Sequence, residues 1–328
     1  MPDHRGPVVA PRRADEASED HVGDVQVVSN IDATRALRVF ELWLDWAPGA
    51  EDGFSVRAGL YDLNSEFDES DTAGLFVNSS HGINPTFSLT GQNGPSIFPV
   101  SSLALRLKGP VGPVEGGYWQ AAVLDGVPGD PDDPASNRID LSRDDGALLV
   151  VEAGLSRDAW RKLAIGAWYY TAEFDTLEET DASGDPVRDR GNGGFYAIAD
   201  RVLVEGDGPR LAGFLRAGYG AQRFNQVGYY VGAGLVAESF LAQRPEDQLG
   251  LALASAINGN DYVHAERLAG NDPGRHETVL ELTWRAPLAD WLTVQPGLQY
   301  VIHPGTDESL DNALVLGLRF EVGWSRTF

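Results

Sequence analysis

Cysteine is absent from the 328-residue chain. That excludes disulfides and all thiolate metal or redox chemistry, and it fits an oxidising compartment. No stretch approaches 18 uninterrupted apolar residues, so helical membrane spans are excluded. Basic residues are scarce, 25 against 49 acidic, and the formal charge of −24 argues against a nucleic-acid partner, which needs a basic footprint. An apolar core is also missing from residues 1–20, MPDHRGPVVAPRRADEASED, so this stretch cannot act as a secretory signal and reads as part of a disordered polar lead, residues 1–21. An exported protein needs such a signal. Three readings therefore stay open: a reading frame that starts too late, a fragment, or a protein that never meets a membrane. No constellation of Ser, His and Asp or of metal-ligating side chains emerges. Ser79, Ser80 and His81 are adjacent only in sequence, which is no geometry for a triad. GDPDDP at 129–134 lacks the spacing and distal Glu of a calcium loop and reads as a rigid acidic loop. The expected cofactors and metals are none, and an enzyme is not expected.

What the chain does have is alternation. In residues 311–328, DNALVLGLRFEVGWSRTF, every second residue is apolar: Leu314, Leu316, Leu318, Phe320, Val322 and Trp324. Between them fall Gly317, Arg319, Glu321 and Gly323. A period of two gives a strand with one apolar and one polar face. A strand of this kind that stops on a terminal aromatic, Phe328, is what outer-membrane β-barrels end with, although the edge of a soluble sandwich alternates too. The mean hydropathy of −0.23 does not separate the two, because half of each barrel strand faces a polar lumen.

The same pattern recurs through the chain. Phe40, Leu42, Leu44 and Trp46 oppose Glu41 and Asp45 in 38–46, and 54–61 alternates again after a Pro-Gly turn. Further strands are predicted at 102–108, 117–125, 147–155, 163–171, 195–204, 211–219, 227–235, 249–257, 278–286, 292–302 and the terminal stretch, about thirteen in all and of barrel length. No helical period exceeds a turn or two. Connections alternate between short (47–53, 156–162, 205–210, 287–291) and long (62–99, 126–145, 174–194, 258–276, 303–311), with 222–226 a short exception. Short turns on one side and long loops on the other mark an all-β antiparallel transmembrane barrel.

Several stretches resemble the OprB family of carbohydrate-selective porins: GDVQVVSNIDATRALRVFELWL at 23–44, DLNSEFDESDTAGLFVNSSHGI at 62–83, NGPSIFPVSSLALRL at 93–107, GYWQAAVLDGVPGDPDDP at 117–134, RFNQVGYYVGAGLV at 223–236, ETVLELTWRAPLADWLTVQPGLQYVIHPG at 277–305 and DNALVLGLRFE at 311–321. The resemblance implies a sixteen-stranded bacterial outer-membrane barrel passing small sugars such as glucose by diffusion, set among lipid, inserted by the barrel-assembly machinery with Phe328 as the signal, and assembled as a homotrimer. Family members carry a signal peptide and further strands ahead of the VSNI-like segment. The expectation is therefore an N-terminally truncated porin barrel over 22–328, from a shortened or mis-started gene.

Within it, 62–99 is expected to fold into the lumen as the constriction. Asn64, Glu66, Asp68 and Asn78 (with Ser79) would hydrogen-bond sugar hydroxyls, and Phe67 and Phe76 would offer flat apolar faces. Parity puts Glu41, Asp45, Arg57, Arg106, Gln120, Glu152, Arg216, Glu281, Arg285, Gln295, Gln299, Arg319 and Glu321 on the lumen side, where arginines opposite carboxylates set a transverse field. Of these, Glu41, Arg57, Arg106, Gln120, Arg216, Gln295, Gln299 and Arg319 are the candidate solute contacts, with Arg57 and Arg106 favoured because they flank the long loop. Trp43, Trp119, Trp160, Trp284, Trp291 and Trp324 are candidates for interfacial girdles. Rival readings are an outer-membrane barrel enzyme or adhesin, and a soluble acidic carbohydrate-binding β-protein that would extract without detergent.

Overall fold

A computed structural model describes residues 18, 22–33, 36–49, 53–133, 135–136, 139, 141–206 and 208–323. Phe328, Trp324 and nearly all of the lead 1–21 lie outside them. Alternating residues become strands because extended backbone sends successive side chains to opposite faces. The strands are β1 (Leu42–Trp46), β2 (Ser55–Tyr61), β3 (Ser102–Pro110), β4 (Gly117–Asp125), β5 (Ala147–Arg157), β6 (Trp160–Tyr170), β7 (Phe174–Thr180), β8 (Pro186–Asp189), β9 (Gly193–Val204), β10 (Arg210–Gly220), β11 (Val227–Glu238), β12 (Gln248–Asn258), β13 (His276–Ala289), β14 (Leu292–Ile302) and β15 (Ala313–Val322).

Thirteen of them form one antiparallel meander in chain order, from β1 to β15, with β7 and β8 standing apart as a hairpin between β6 and β9. Among the described residues, the outer edges of β1 and β15 carry no strand partner. The thirteen strands expected from alternation are these thirteen. The first is shorter than predicted, because 38–41 runs outside the sheet, and β13 is longer at both ends.

Two elements correct the sequence reading. The long connection 174–194 contains the β7–β8 hairpin, and 258–276 contains the nine-residue helix α3 (Asn260–Leu268). Both are loop elements with too short a period to stand out from their polar surroundings. Residues 24–31 form turns and bends outside the sheet.

One face of the sheet is apolar and exposed. On β15, Leu314, Leu316, Leu318, Phe320 and Val322 are 57–81% exposed, and Leu149, Val151, Ile165, Leu215, Val231, Leu251 and Leu282 continue the band across the sheet. Left in water, each such side chain forgoes about 1.5–3 kcal/mol of burial. A hydrocarbon solvent removes that penalty. Aromatic side chains bound the band. Tyr169, Phe195, Tyr229 and Tyr300 stand at the end with the long loops, where Phe195 stacks on Tyr219. Trp119, Trp284 and Trp291 are exposed at the end with the short turns. Of the other predicted girdle residues, Trp160 lies beneath Arg201, and Trp43 turns inward under the Arg57 guanidinium, 3.9 Å from its ring.

The opposite face wraps around the connection 62–101. That connection is compact rather than extended: two 3₁₀ turns (Leu63–Ser65, Ala73–Leu75) and two single-turn helices, α1 (Ser79–Gly82) and α2 (Pro85–Ser88). Asn78 and Asn84 cap the helices by accepting from Ser80 N and Thr86 N. Its side chains build the core. Phe67, Phe87, Trp168, Tyr170 and Tyr196 form one cluster, with Phe87 stacked on Trp168 at 5.1 Å, and Leu75, Phe76 and Phe214 form another.

Candidate functional site: the loop inside the sheet

A buried backbone N–H or C=O needs a partner, and an irregular loop cannot satisfy its own. Here the wall supplies partners. Glu281 of β13 accepts from Val77 N at 2.7 Å and Asn78 N at 2.9 Å. Asp200 of β9 accepts from Thr72 N at 2.8 Å and from both the Ser70 and Thr72 hydroxyls. Glu152 of β5 accepts from Asp68 N at 3.1 Å and from Tyr118, Gln120 and Tyr196. Gln295 of β14 donates to Leu75 O at 2.7 Å. Further along β13 from Glu281, Glu277 holds the 23–28 segment in the same manner, accepting from Val25 N and Gln26 N.

Arg216 gathers the other side. It donates to the main-chain oxygens of Asp68, His81 and Gly82, and pairs with the Asp68 carboxylate at 2.8 Å. His81 itself is fully enclosed against Phe76 and Phe214; burial, and then the nearby Arg216 charge, push its pKa down to about 3, so the ring is neutral.

Close approach of loop to wall also needs space. A Cβ on Gly250 would lie 2.7 Å from Leu75 Cδ2 and Phe76 Cζ, and one on Gly218 would lie 2.5 Å from Asn84 Oδ1 and Thr86 Oγ1. These glycines leave a shelf for the loop.

An ionic cluster sits along the first half of β2, where Glu66 of the loop reaches back to it. Arg106 reaches Glu66 at 2.8 Å and Asp45 at 3.1 Å; Arg57 reaches Asp45 at 2.9 Å and Glu66 at 3.4 Å; Lys108 is 3.5 Å from Glu66. Tyr61 donates to Glu66 at 2.7 Å. Burial opposes ionisation of Glu66, but the Tyr61 hydrogen bond and the three cations outweigh it and hold the carboxyl below its ordinary value. Beyond it, Lys162 joins Glu152 at 3.1 Å and Glu69 at 3.7 Å. Burial, against the pull of Lys162, raises Glu69.

The predicted residues divide into two groups. Asp68, Asn78, Arg106, Gln120, Arg216, Gln295 and Gln299 are buried and brace the loop, Asn78 through Gln299 at 3.2 Å and Gln299 through Val28 O at 2.7 Å. Asn64 ties the loop to itself, donating to Phe67 O and Gly82 O. Phe67 and Phe76, expected to face sugar rings, are 0% exposed; they fill the cores between loop and wall, where no solute reaches them. The second group keeps contact with the remaining space: side chains of Arg57 and Glu66 are 17% and 14% exposed, beside Lys108 and Glu69, outside the prediction, at 40% and 38%. Glu41 is exposed beside Trp43, and Arg319 lies half-buried on β15 opposite Gln295.

Lys108, Glu69, Lys162 and Asp200 were not singled out from the sequence. Parity could have found Asp200, which shares its face with Tyr196, Ile198 and Val202. Lys162 falls before the start of the predicted strand, so no parity applied to it.

The sequence profile described as carbohydrate-selective porin, OprB family, matches residues 11–324. The chain belongs to the OprB family. Porin B of Pseudomonas aeruginosa is 26% identical and is covered over 75% of its length, with 95% of this chain aligned. The fold matches a high-pH structure of Pseudomonas putida OprB with a TM-score of 0.79 at 24% identity, covering 94% of this chain and 80% of that one. Membership of this porin family accounts for the exposed apolar band.

Proposed function

We propose that this OprB-family chain is an outer-membrane channel for passive diffusion of small neutral sugars such as glucose, with residues 62–99 as the constriction. The observation that carries the reading is the composition of the unfilled space. The loop occupies the interior of the sheet and leaves Arg57, Lys108, Asp45, Glu66 and Glu69 in partial contact with what remains, charges of both signs paired with one another. Such a lining hydrogen-bonds hydroxyls as donor and as acceptor, and its paired charges suit a neutral polyol better than an ion. The buried residues act through rigidity: by fixing the loop they fix the aperture. Insertion by the barrel-assembly machinery, with Phe328 as its signal, and a homotrimeric state belong to the same proposal; family membership supports them, not contacts within the chain.

Liposome swelling with the purified chain tests this. Arabinose and glucose should enter readily, a disaccharide more slowly, and gluconate, a charged molecule of glucose size, more slowly than glucose. Protein that is folded in the vesicles yet gives no swelling with any sugar would overturn the reading, and the enzyme, adhesin and binding-protein alternatives would take its place.

A further inference from the structure

One arginine on the outward face of the sheet stands apart from the others. Acidic residues outnumber basic ones 49 to 25, so a cation in this chain has carboxylates in surplus. Near the short-turn end, Arg157 pairs with Asp158 at 3.0 Å, Arg210 with Glu238 at 3.5 Å and Arg244 with Asp247 at 2.9 Å. Arg201 of β9 makes no ion pair among the described residues; its guanidinium lies over the Trp160 ring, 5.2 Å from the centroid. Its place in the strand alternation is the outward one, shared with exposed Phe195, Ala197 and Leu203. We infer that Arg201 and the apolar strip beside it form a binding site for one anionic diacyl phospholipid, with the headgroup phosphate on the guanidinium and an acyl chain along β9. The inference rests on the outer-membrane part of the channel reading and goes beyond it by assigning a specific lipid site.

Two further observations carry it. The first is the depth of Arg201. It lies three residues before Val204, the end of β9, which is about 10 Å along the strand. An arginine on the lipid side of a barrel is costly near the midplane and tolerated near the rim, where its long side chain reaches the headgroups. A phosphate there supplies the anion that the chain itself withholds, and an arginine–phosphate pair is charge-assisted and can be bidentate. Arg157 stands in the same row, opposite Trp160, but its charge is already taken by Asp158.

The second is the relief of the surface. Ala199 and Ala197 continue the line from Arg201 along β9 and make a low floor. Leu163 and Ile165 of β6 stand opposite them on one side, 42% and 69% exposed, and Leu215 of β10 stands on the other, 63% exposed. The strip runs about 20 Å from Arg201 to Phe195, and the tilt of a barrel strand turns that into about half of the hydrocarbon thickness, the depth that one acyl chain fills. A channel one strand wide between larger side chains takes a single chain. A second copy of this protein would instead need a broad matching patch, on the order of 800 Å² on each partner.

The experiment is native mass spectrometry of the full chain, released from detergent after titration with dioleoylphosphatidylglycerol. One saturable lipid adduct per chain is expected, with dioleoylphosphatidylcholine bound more weakly. R201Q removes the cation from an exposed position and should weaken the adduct about tenfold. A199F fills the floor, leaves Arg201 in place and should weaken it to a similar degree. Inorganic phosphate at an equal concentration should not compete, because it lacks the acyl chain. Equal binding of the two lipids, or an adduct that neither substitution weakens, would overturn the site. So would a loss in R201Q alone, which leaves only a surface charge. Oligomers that R201Q dissociates while lipid adducts persist would make this face a protein interface and overturn it as well. Swelling assays on the same protein separate the two readings. Sugar entry without a specific adduct removes the lipid site alone, whereas a specific adduct without sugar entry leaves the lipid site and removes the channel.

Discussion

Arg216 of β10 and Asp68 of the enclosed loop form an ion pair at 2.8 Å with both side chains 1% exposed. The pair is the firmest single link between loop and wall. Asp68 also accepts from the Asn84 main-chain N at 2.9 Å, and Arg216 donates to Asp68 O at 2.7 Å. Two stretches of the loop, at Asp68 and at His81–Gly82, therefore meet at one wall side chain.

Removing Arg216 should be costly. R216M leaves a buried carboxylate without its cation and orphans several loop carbonyls, so a loss of about 3–5 kcal/mol is expected. Urea unfolding in detergent measures it. Adding D68N should recover part of the loss, since the buried charge disappears while the carbonyls stay unpaired. A single variant as stable as the parent would show that the loop is not anchored here.

Glu66 balances three cations, and its loss should show as ion selectivity. E66Q leaves Arg57, Arg106 and Lys108 without their shared carboxylate. The reversal potential across a KCl gradient should then move toward chloride. The pH dependence has a definite sign. The folded-state pKa lies below the ordinary 4.5, so the stability from ionised Glu66 is fully present above that value. It is lost as the pH falls through the lower folded-state value. The parent channel should hold its selectivity at pH 5, and E66Q should show no corresponding change on acidification.

Gly250 should tolerate no branched residue. In G250V a Cβ would stand 2.7 Å from Leu75 and Phe76, and the loop must retreat from β12 or the wall must bend. Overpacking of this kind costs about 1–3 kcal/mol. Faster proteolysis within 62–99, with the rest of the sheet intact, is the expected readout. Unchanged cleavage kinetics would mean that the loop does not rest on this shelf.

The strands were legible because alternation is a property of consecutive residues. The run from Leu314 to Val322 declares its own faces, and Arg106, Glu152, Arg216 and Glu281 fall on the inner side by counting alone. The loop was legible only as a long connection. It has no period, so Phe67 and Phe76 could be assigned to solute as readily as to packing; what decides between these is the wall opposite them. Gly250 and Gly218 carry meaning only once Leu75 and Asn84 are known to lie above them. The ends of β6 and β11, which carry the Arg161–Glu238 pair at 2.6 Å, extend beyond the alternating core that marked each strand.

The hydrogen bonds that hold the loop have a consequence for how the chain can fold. Gln295 donates to Leu75 O across 220 residues, Val77 N donates to Glu281 across 204, and Asp68 N donates to Glu152 across 84. Contacts this distant close late and slowly. Yet the loop precedes in sequence nearly every strand that surrounds it. Synthesised early and satisfied late, it must wait with its amides unpaired until β13 and β14 arrive. The sheet therefore assembles around its own contents, and the last strands to be made are the ones that lock the interior.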